Sequence, residues 1–159
     1  MKQINYRDAV WLTLPDSFEV EDDLGVQAAF FERRPHAGTL RVSVFGFIMD
    51  GGGPDEPMPA PVEGPFLALH QGARMYTQSR LAPGRSHLLM RNWIFQVPEG
   101  PGRYLLVFFS HTIEEAHKDD PEAIAEFQVV DLAVRDARIS LAPSVARYDD
   151  FSAKGSELE

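Results

Sequence analysis

The sequence predicts an α+β domain in which helices pack on an antiparallel sheet of about five to seven strands. Short segments that alternate apolar and polar residues begin near the N-terminus and recur through most of the chain, as half-buried strands do. Clusters of Gly, Pro and Asp separate these segments, which is typical of turns. One segment with helical spacing follows them. The expected order is therefore a hairpin, a short helix, three antiparallel strands and a closing helix.

Length and composition indicate one domain without disulfide bonds. A chain of 159 residues has the usual size of a single domain, which we expect over residues 1–142, with a tail over residues 143–159. The sequence contains no Cys. Disulfides, thiolate metal sites and thiol nucleophiles are therefore excluded.

Charge and hydropathy restrict the partners and the location. The first residues lack the apolar stretch of a secretory signal, and no segment approaches the roughly 20 apolar residues that cross a bilayer. We therefore expect a cytoplasmic protein without membrane insertion.

The net charge of −9 argues against nucleic-acid binding, because phosphates would be repelled. A neutral or basic partner is the better expectation.

Strand patterns fill the first third of the chain. Residues 10–14 alternate apolar and less apolar side chains and predict one strand. Residues 26–33 and 39–49 predict a hairpin, because a turn-forming segment with Pro and Gly separates them. The second arm is apolar on one face throughout and on the other face near its end. A strand that is apolar on both faces is covered on both faces, so we expect packing over the second face as well.

Residues 50–65 interrupt the pattern and form an expected loop insertion. They contain three consecutive glycines and five prolines, and proline blocks both helices and sheet ladders. A loop of this length is either functional or a tolerated surface insertion. Residues 66–72 follow with an ambiguous pattern, for which we favour a short helix over the start of a strand.

The second half of the chain predicts three more strands. Residues 73–81, 86–97 and 103–113 carry strand patterns, and turns with Pro and Gly separate them. The last of the three is apolar on both faces, which is typical of a central strand.

A closing helix follows the strands. Asp120 suits the N-cap and Pro121 the first helical position. Apolar residues then recur every three or four positions and form one stripe that should lie on the sheet: Ala123, Phe127, Val130, Val134 and Ala137. A short edge strand over residues 139–141 is a further expectation.

No arrangement of residues indicates an enzyme. The nucleophile motif GxSxG is absent, and Ser110 and His111 are strand neighbours whose side chains point to opposite faces. The glycine run is followed by Pro and two acids, so it is not a phosphate-binding loop. Carboxylate pairs fall in predicted turns or at the helix start. None is marked as desolvated, as acid–base catalysis requires. We expect no catalytic residues and no cofactor.

The histidines carry no metal-binding motif. His111 and His117 flank Glu114 and Glu115, and a metal site can be imagined in that group. Surface histidines beside acids are far commoner than metal sites, so we expect no metal.

One candidate binding site remains, and it is apolar. Phe45, Phe47 and Met49 share the second face of a long predicted strand, beside the Gly- and Pro-rich insertion. If the helices leave this end of the sheet open, the three side chains would line a groove for a ligand or partner.

Three segments resemble members of the PsbP-like superfold. WLTLPDSFEVED at residues 11–22 resembles the opening strand and its Pro turn, and GTLRVSVF at 38–45 resembles the second arm of the hairpin. EFQVVDLAVRDARI at 126–139 resembles the last helix with the short strand after it. This superfold covers the photosystem protein PsbP, the yeast Ran-release factor and the bacterial Eag chaperones of type VI secretion. The insertion at 50–65 departs from the pattern.

The resemblance implies a non-enzymatic role and supplies no catalytic residues. Together with the residue patterns it predicts a protein-binding domain: an adaptor, an assembly factor or a chaperone. The partner would be another protein or a second copy of the chain in a homodimer. The alternative is an intracellular carrier of a small apolar ligand held between sheet and helix.

Overall fold

The computed structural model describes residues 1–7, 9–23, 27–48, 66–68, 74–82, 84–100 and 103–139. Within these ranges the strands are β1 (Lys2–Tyr6), β2 (Val10–Leu14), β3 (Phe18–Asp23), β4 (Gln27–Glu32), β5 (Thr39–Ile48), β6 (Phe66–Ala68), β7 (Arg74–Ala82), β8 (Arg85–Gly100), β9 (Arg103–Glu114) and β10 (Arg138–Ile139). A short 3-10 helix spans Glu115–His117, and helix α1 spans Pro121–Arg135.

The strands form two antiparallel sheets. The larger sheet has seven strands in the order β3-β4-β5-β9-β8-β7-β6, and the smaller has three in the order β1-β2-β10. Every pairing between neighbouring strands is antiparallel. The predicted α+β class, the first hairpin and the three later strands are confirmed. The short strand after the helix is also present, and it joins the small sheet by pairing with β2.

The core lies between α1, the small sheet and one face of the large sheet, which we call the inner face. The alternation of side chains places every second residue of each strand on that face. On β9 these residues include Leu105, Val107 and Phe109, all fully buried. The buried cluster draws on both sheets and on α1: Tyr6, Val10, Leu12, Leu14, Phe18, Phe30, Leu40, Val42, Trp93, Phe95, Val97, Leu105, Val107, Phe109, Val130 and Val134.

Helix α1 begins where the sequence predicts it. Asp120 occupies the N-cap position with extended backbone, and Pro121 is the first helical residue. The predicted apolar stripe faces the core, with Ala123, Val130 and Val134 buried. Phe127 stacks on Trp93 of β8, with ring centroids 5.9 Å apart. The stripe therefore fixes α1 on the inner face.

One expectation about a helix is wrong. Phe66–Ala68 is a strand, β6, and its backbone pairs with β7. An apolar run this short cannot be assigned by periodicity, and here the adjacent strand decides its conformation. The expected packing over the second face of the long strand is not tested by the described residues. Helix α1 packs on the inner face only, and the structure shows no helix on the outer face within the ranges given above.

No described helix is long and apolar enough to cross a membrane.

The strand β1, which the sequence patterns did not predict, pairs along its whole length with β2. Ile4 of β1 lies opposite Leu12 and packs against the core cluster. The first residues of the chain thus complete the small sheet.

Candidate functional site

The apolar site predicted from the sequence lies on the outer face of the large sheet. Phe45 is on β5, opposite Leu106 of β9, and its side chain is 37% exposed. It meets Phe108 edge to face, with ring centroids 5.7 Å apart. The backbone of Phe47 continues the same pairing. The side chain of Phe47 and all of Met49 lie outside the described residues.

Most of the described neighbours of Phe45 on this face are apolar. Leu106 is buried, as is Ile94, which lies opposite Phe108 across the β8–β9 pair. Gln96 lies opposite Leu106 on the same face and is only 5% exposed. Its Nε2 atom finds no hydrogen-bond partner among the described residues. A buried amide without a partner is costly, so Gln96 is the polar residue of an otherwise apolar patch beside Phe45.

A cavity of about 170 Å³ lies between the large sheet and the C-terminal half of α1. Arg91, Asp131 and Arg135 contribute charged groups to its wall, and Trp93 and Phe127 contribute rings. Trp93 Nε1 donates to Asp131 Oδ1 at 2.9 Å, and the Arg91 guanidinium lies 3.9 Å from the Phe127 ring centroid. Burial lowers the pKa of Arg91, and the charge of Asp119 opposes this shift. These charges suit a polar ligand better than an apolar one.

A buried polar network lies where the β4–β5 turn meets α1. Glu126 and His111 are the central pair, with side chains only 1% exposed and 2.7 Å between Glu126 Oε1 and His111 Nε2. Gly38 donates its backbone N–H to the same oxygen at 2.9 Å. Arg34 donates to the other oxygen, Oε2. Both carboxylate oxygens are therefore occupied.

The network corrects an expectation from the sequence. No carboxylate was predicted to be desolvated, but Glu126 is buried as a charged acceptor with three donors. Because an ionised carboxylate only accepts hydrogen bonds, we assign the proton to His111 Nε2. His111 Nδ1 has no hydrogen-bond partner within the described part of the chain. Neither side chain lines the cavity described above.

Gly38 is required by the close contacts in this network. A Cβ atom there would lie 2.6 Å from Glu126 Oε1 and closer still to His111 Nε2. Glycine lets the backbone N–H approach the carboxylate directly.

A second polar group lies at the surface beside this network. The group consists of His36 in the β4–β5 turn, Glu114 at the end of β9 and His117 in the 3-10 helix, and we call it the rim cluster. Glu114 Oε2 is 3.5 Å from His36 Nδ1 and 3.6 Å from His117 Nε2. Asp120 Oδ2 is 2.8 Å from His117 Nδ1. The N-cap residue thus contacts a histidine and makes no side-chain bond to the helix start.

The histidine grouping imagined from the sequence is different in the structure. Glu114 and His117 are neighbours as expected, but His111 is buried beside Glu126 and His36 takes its place. The signal for His111 was present, because it follows Leu105, Val107 and Phe109 in the alternation of β9. The part played by His36 had no local signal, because it lies far from Glu114 in the sequence.

The comparisons with known proteins show a shared fold and no family. No protein-family model and no curated protein matches the chain. One similar structure is LpqN, described as involved in cell envelope biogenesis of Mycobacterium tuberculosis. The structural match covers 87% of this chain and 90% of the LpqN chain, with a TM-score of 0.52 and 10% sequence identity. At that identity the likeness shows the sheet-rich α+β fold alone.

A structure from Bacteroides thetaiotaomicron VPI-5482 is a more distant match. It covers 82% of this chain with 10% identity and a TM-score of 0.46. This chain spans 45% of the length of that structure.

Proposed function

We propose that this protein is a non-enzymatic protein-binding domain, of the adaptor, assembly-factor or chaperone kind, that acts in the cytoplasm. A PsbP-like fold is part of the same proposal. The partner contacts the outer face of the large sheet around Phe45. The observation that carries the proposal is the exposure of an aromatic ring on the sheet face that α1 does not cover.

Two further features of that face support a protein partner. Aromatic residues are enriched at protein interfaces, where they supply a large contact area. Leu106 and Ile94 flank Phe45 and Phe108 on that face and extend its apolar character. The net charge of −9 favours a neutral or basic partner.

The polar groups on the other side of the sheet support a role without catalysis. Glu126 and His111 resemble an acid–histidine pair, but both side chains are only 1% exposed. A general base must reach the proton that it removes, and burial of both side chains argues against that role. The carrier alternative is weaker, because the cavity beside α1 is lined with charged side chains.

Photo-crosslinking tests the proposed surface. A photoreactive phenylalanine analogue at position 45 should capture a specific protein in the cells that produce this chain. The same analogue at Leu132, which is 63% exposed on α1, is the matched control for an exposed apolar position. With the captured partner purified, Phe45→Ala should weaken binding at least about tenfold, while Leu132→Ala should leave the affinity unchanged.

The outcomes separate the occupants. A partner whose affinity does not depend on Phe45 would refute the proposed surface. Adducts between two copies of this chain would identify the partner as a second copy. In that case the sedimentation coefficient of the protein should rise with concentration, and Phe45→Ala should return it to the value of the monomer. Equal adduct patterns from positions 45 and 132 would show that the face has no specific occupant.

A further inference from the structure

We propose that the rim cluster of His36, Glu114 and His117 binds a divalent transition-metal ion, for which Zn²⁺ is the best match. This inference is independent of the protein-binding proposal, because the rim cluster and Phe45 use different residues. It replaces the earlier expectation of no metal, and it rests on the arrangement of the ligand atoms.

The ligand atoms have the separations that a zinc site requires. All three lie within 4.8 Å of one another, and the two histidine nitrogens are 3.5 and 3.6 Å from Glu114 Oε2. Around a tetrahedral Zn²⁺ with bond lengths of about 2.0–2.2 Å, neighbouring ligand atoms are about 3.3 Å apart. The two distances to Glu114 are within a few tenths of an ångström of that value, and the two histidine nitrogens, no more than 4.8 Å apart, reach it once His36 rotates. Two histidines and one glutamate are also a known zinc-binding set, with the fourth position left to water.

Asp120 orients one of the ligands. Its carboxylate accepts a hydrogen bond from His117 Nδ1, 2.8 Å away, so that Nε2 carries the free lone pair on the side of Glu114. Histidines that bind metals commonly donate their other nitrogen to a carboxylate in this way. The contact also explains why Asp120 does not cap α1 with its side chain.

The backbone at His36 is a second, independent sign of function. His36 has a φ of 60°, in the left-handed region that is unfavourable for residues other than Gly. Strained backbone of this kind is concentrated at functional sites. Here the strain places the imidazole of His36 against that of His117, with ring centroids 3.6 Å apart and planes 17° from parallel.

The stacked rings must open slightly to bind one ion. A metal lies in the plane of each imidazole that binds it, so His36 has to rotate about its side-chain bonds until Nδ1 faces the ion. The His36 side chain is 49% exposed, which leaves room for this rotation. The ion would join the β4–β5 turn, the end of β9 and the segment before α1.

The charges of the cluster favour a dication. Glu114 and Asp120 contribute two carboxylates, and the ion pairs that Glu114 makes within the described residues are to His36 and His117 only. When the imidazoles are unprotonated, a divalent ion balances both carboxylates. Protons compete with the ion for the same nitrogens, so affinity should fall as the pH is lowered.

Isothermal titration of tag-free protein with ZnCl₂ tests the site. We expect one Zn²⁺ per chain, a higher melting temperature with zinc, and no binding of Mg²⁺, which disfavours imidazole ligands. His36→Ala, His117→Ala and Glu114→Gln should each weaken zinc binding at least about tenfold, and Asp120→Asn by about 10–100-fold through the orientation of His117. Glu115→Gln and His87→Ala are matched controls, because each changes an exposed residue of the same type outside the cluster, and they should bind zinc like the wild type.

A measurement on the wild type removes any dependence on variant folding. In nitrogen-detected imidazole spectra, zinc should shift the resonances of His36 and His117 and leave those of His87 in place. The proposal is overturned if the wild type binds no zinc, if Glu114→Gln and Glu115→Gln bind it equally, or if the His36 and His117 resonances do not respond.

Discussion

Glu126 shows how a single charged residue can be built into a core. Its carboxylate lies on the buried stripe of α1, where His111, Gly38 and Arg34 satisfy it together. Removing one partner of a buried charged group is more damaging than removing an exposed pair, because the remaining groups keep their desolvation cost. The stability of this end of the sheet therefore depends on Glu126 more than on any surface ion pair nearby.

We expect Glu126→Ala to lower the free energy of unfolding by about 3–5 kcal/mol, because it leaves Arg34 and His111 without their buried acceptor. Urea unfolding followed by circular dichroism measures the loss. Glu122→Ala is the matched control, since Glu122 lies one turn earlier on α1 and its side chain is 76% exposed and meets Arg34 only in a surface pair of 3.7 Å, so it should change stability little. Equal losses for the two variants would show that the buried network contributes nothing special.

We expect Gly38→Ala to destabilise the protein by about 1–3 kcal/mol through overpacking, because the new Cβ atom would overlap His111 and Glu126. The same substitution should cost less in a His111→Ala background, where part of the obstruction is gone. Thermal unfolding of the four members of this double-mutant cycle gives the coupling. A cost that does not depend on His111 would contradict the contact.

At the scale of elements, α1 is held by one face and leaves the other to solvent. Val130 and Val134 are fully buried, while Ile124, Val129 and Leu132 are exposed apolar residues on the same helix. Burial of a side chain, and not its hydrophobicity alone, sets its contribution to stability. Substitutions at the exposed apolar residues of α1 are therefore controls for substitutions at its buried ones.

We expect Val134→Ala to cost about 2 kcal/mol, from lost burial and from the cavity left behind. Leu132→Ala removes more atoms but from an exposed position, so it should be close to neutral. Guanidinium unfolding curves of the two variants measure the loss in free energy of unfolding that each substitution causes. A larger loss at Leu132 would mean that the outer surface of α1 is covered.

The elements also show what a single sequence can and cannot predict. The strands β4, β5, β7, β8 and β9 and the helix α1 were predicted because alternation and helical spacing are local properties of the chain. The buried positions of His111 and Glu126 follow from the same periodicities, once polar residues are counted on apolar faces. The rim cluster is different, because it depends on the pairing of Thr39 with Thr112, which brings His36 beside Glu114. Register between strands distant in sequence leaves no local pattern.

At the scale of the whole molecule, one core connects both sheets. The buried cluster includes Leu12 and Leu14 of the small sheet, Phe95 and Val107 of the large sheet, and Val130 of α1. A continuous core of this kind favours unfolding in one step. The proposed single domain over residues 1–142 therefore has a thermodynamic test.

The two tryptophans provide that test. Trp11 lies on β2 of the small sheet and Trp93 on β8 of the large sheet. In the variants Trp11→Phe and Trp93→Phe, the fluorescence of the remaining tryptophan should give the same urea midpoint as far-ultraviolet circular dichroism, because both sheets lose structure together. Separate midpoints within one variant would show that the sheets unfold independently.

The pairing of β5 with β9 also bears on how the chain reaches its native state. In the large sheet, β5 and β9 are the one pair of neighbouring described strands that are not consecutive along the chain. The strands β3 to β5 and the strands β6 to β9 can therefore each form as local hairpins. Joining them requires closing the long excursion from Ile48 to Arg103, and such distant contacts form slowly. Within the large sheet, we therefore expect this junction to form last. It is also the place where two separately expressed halves would have to reassemble, because all of its pairs join residues before position 49 to residues after position 102.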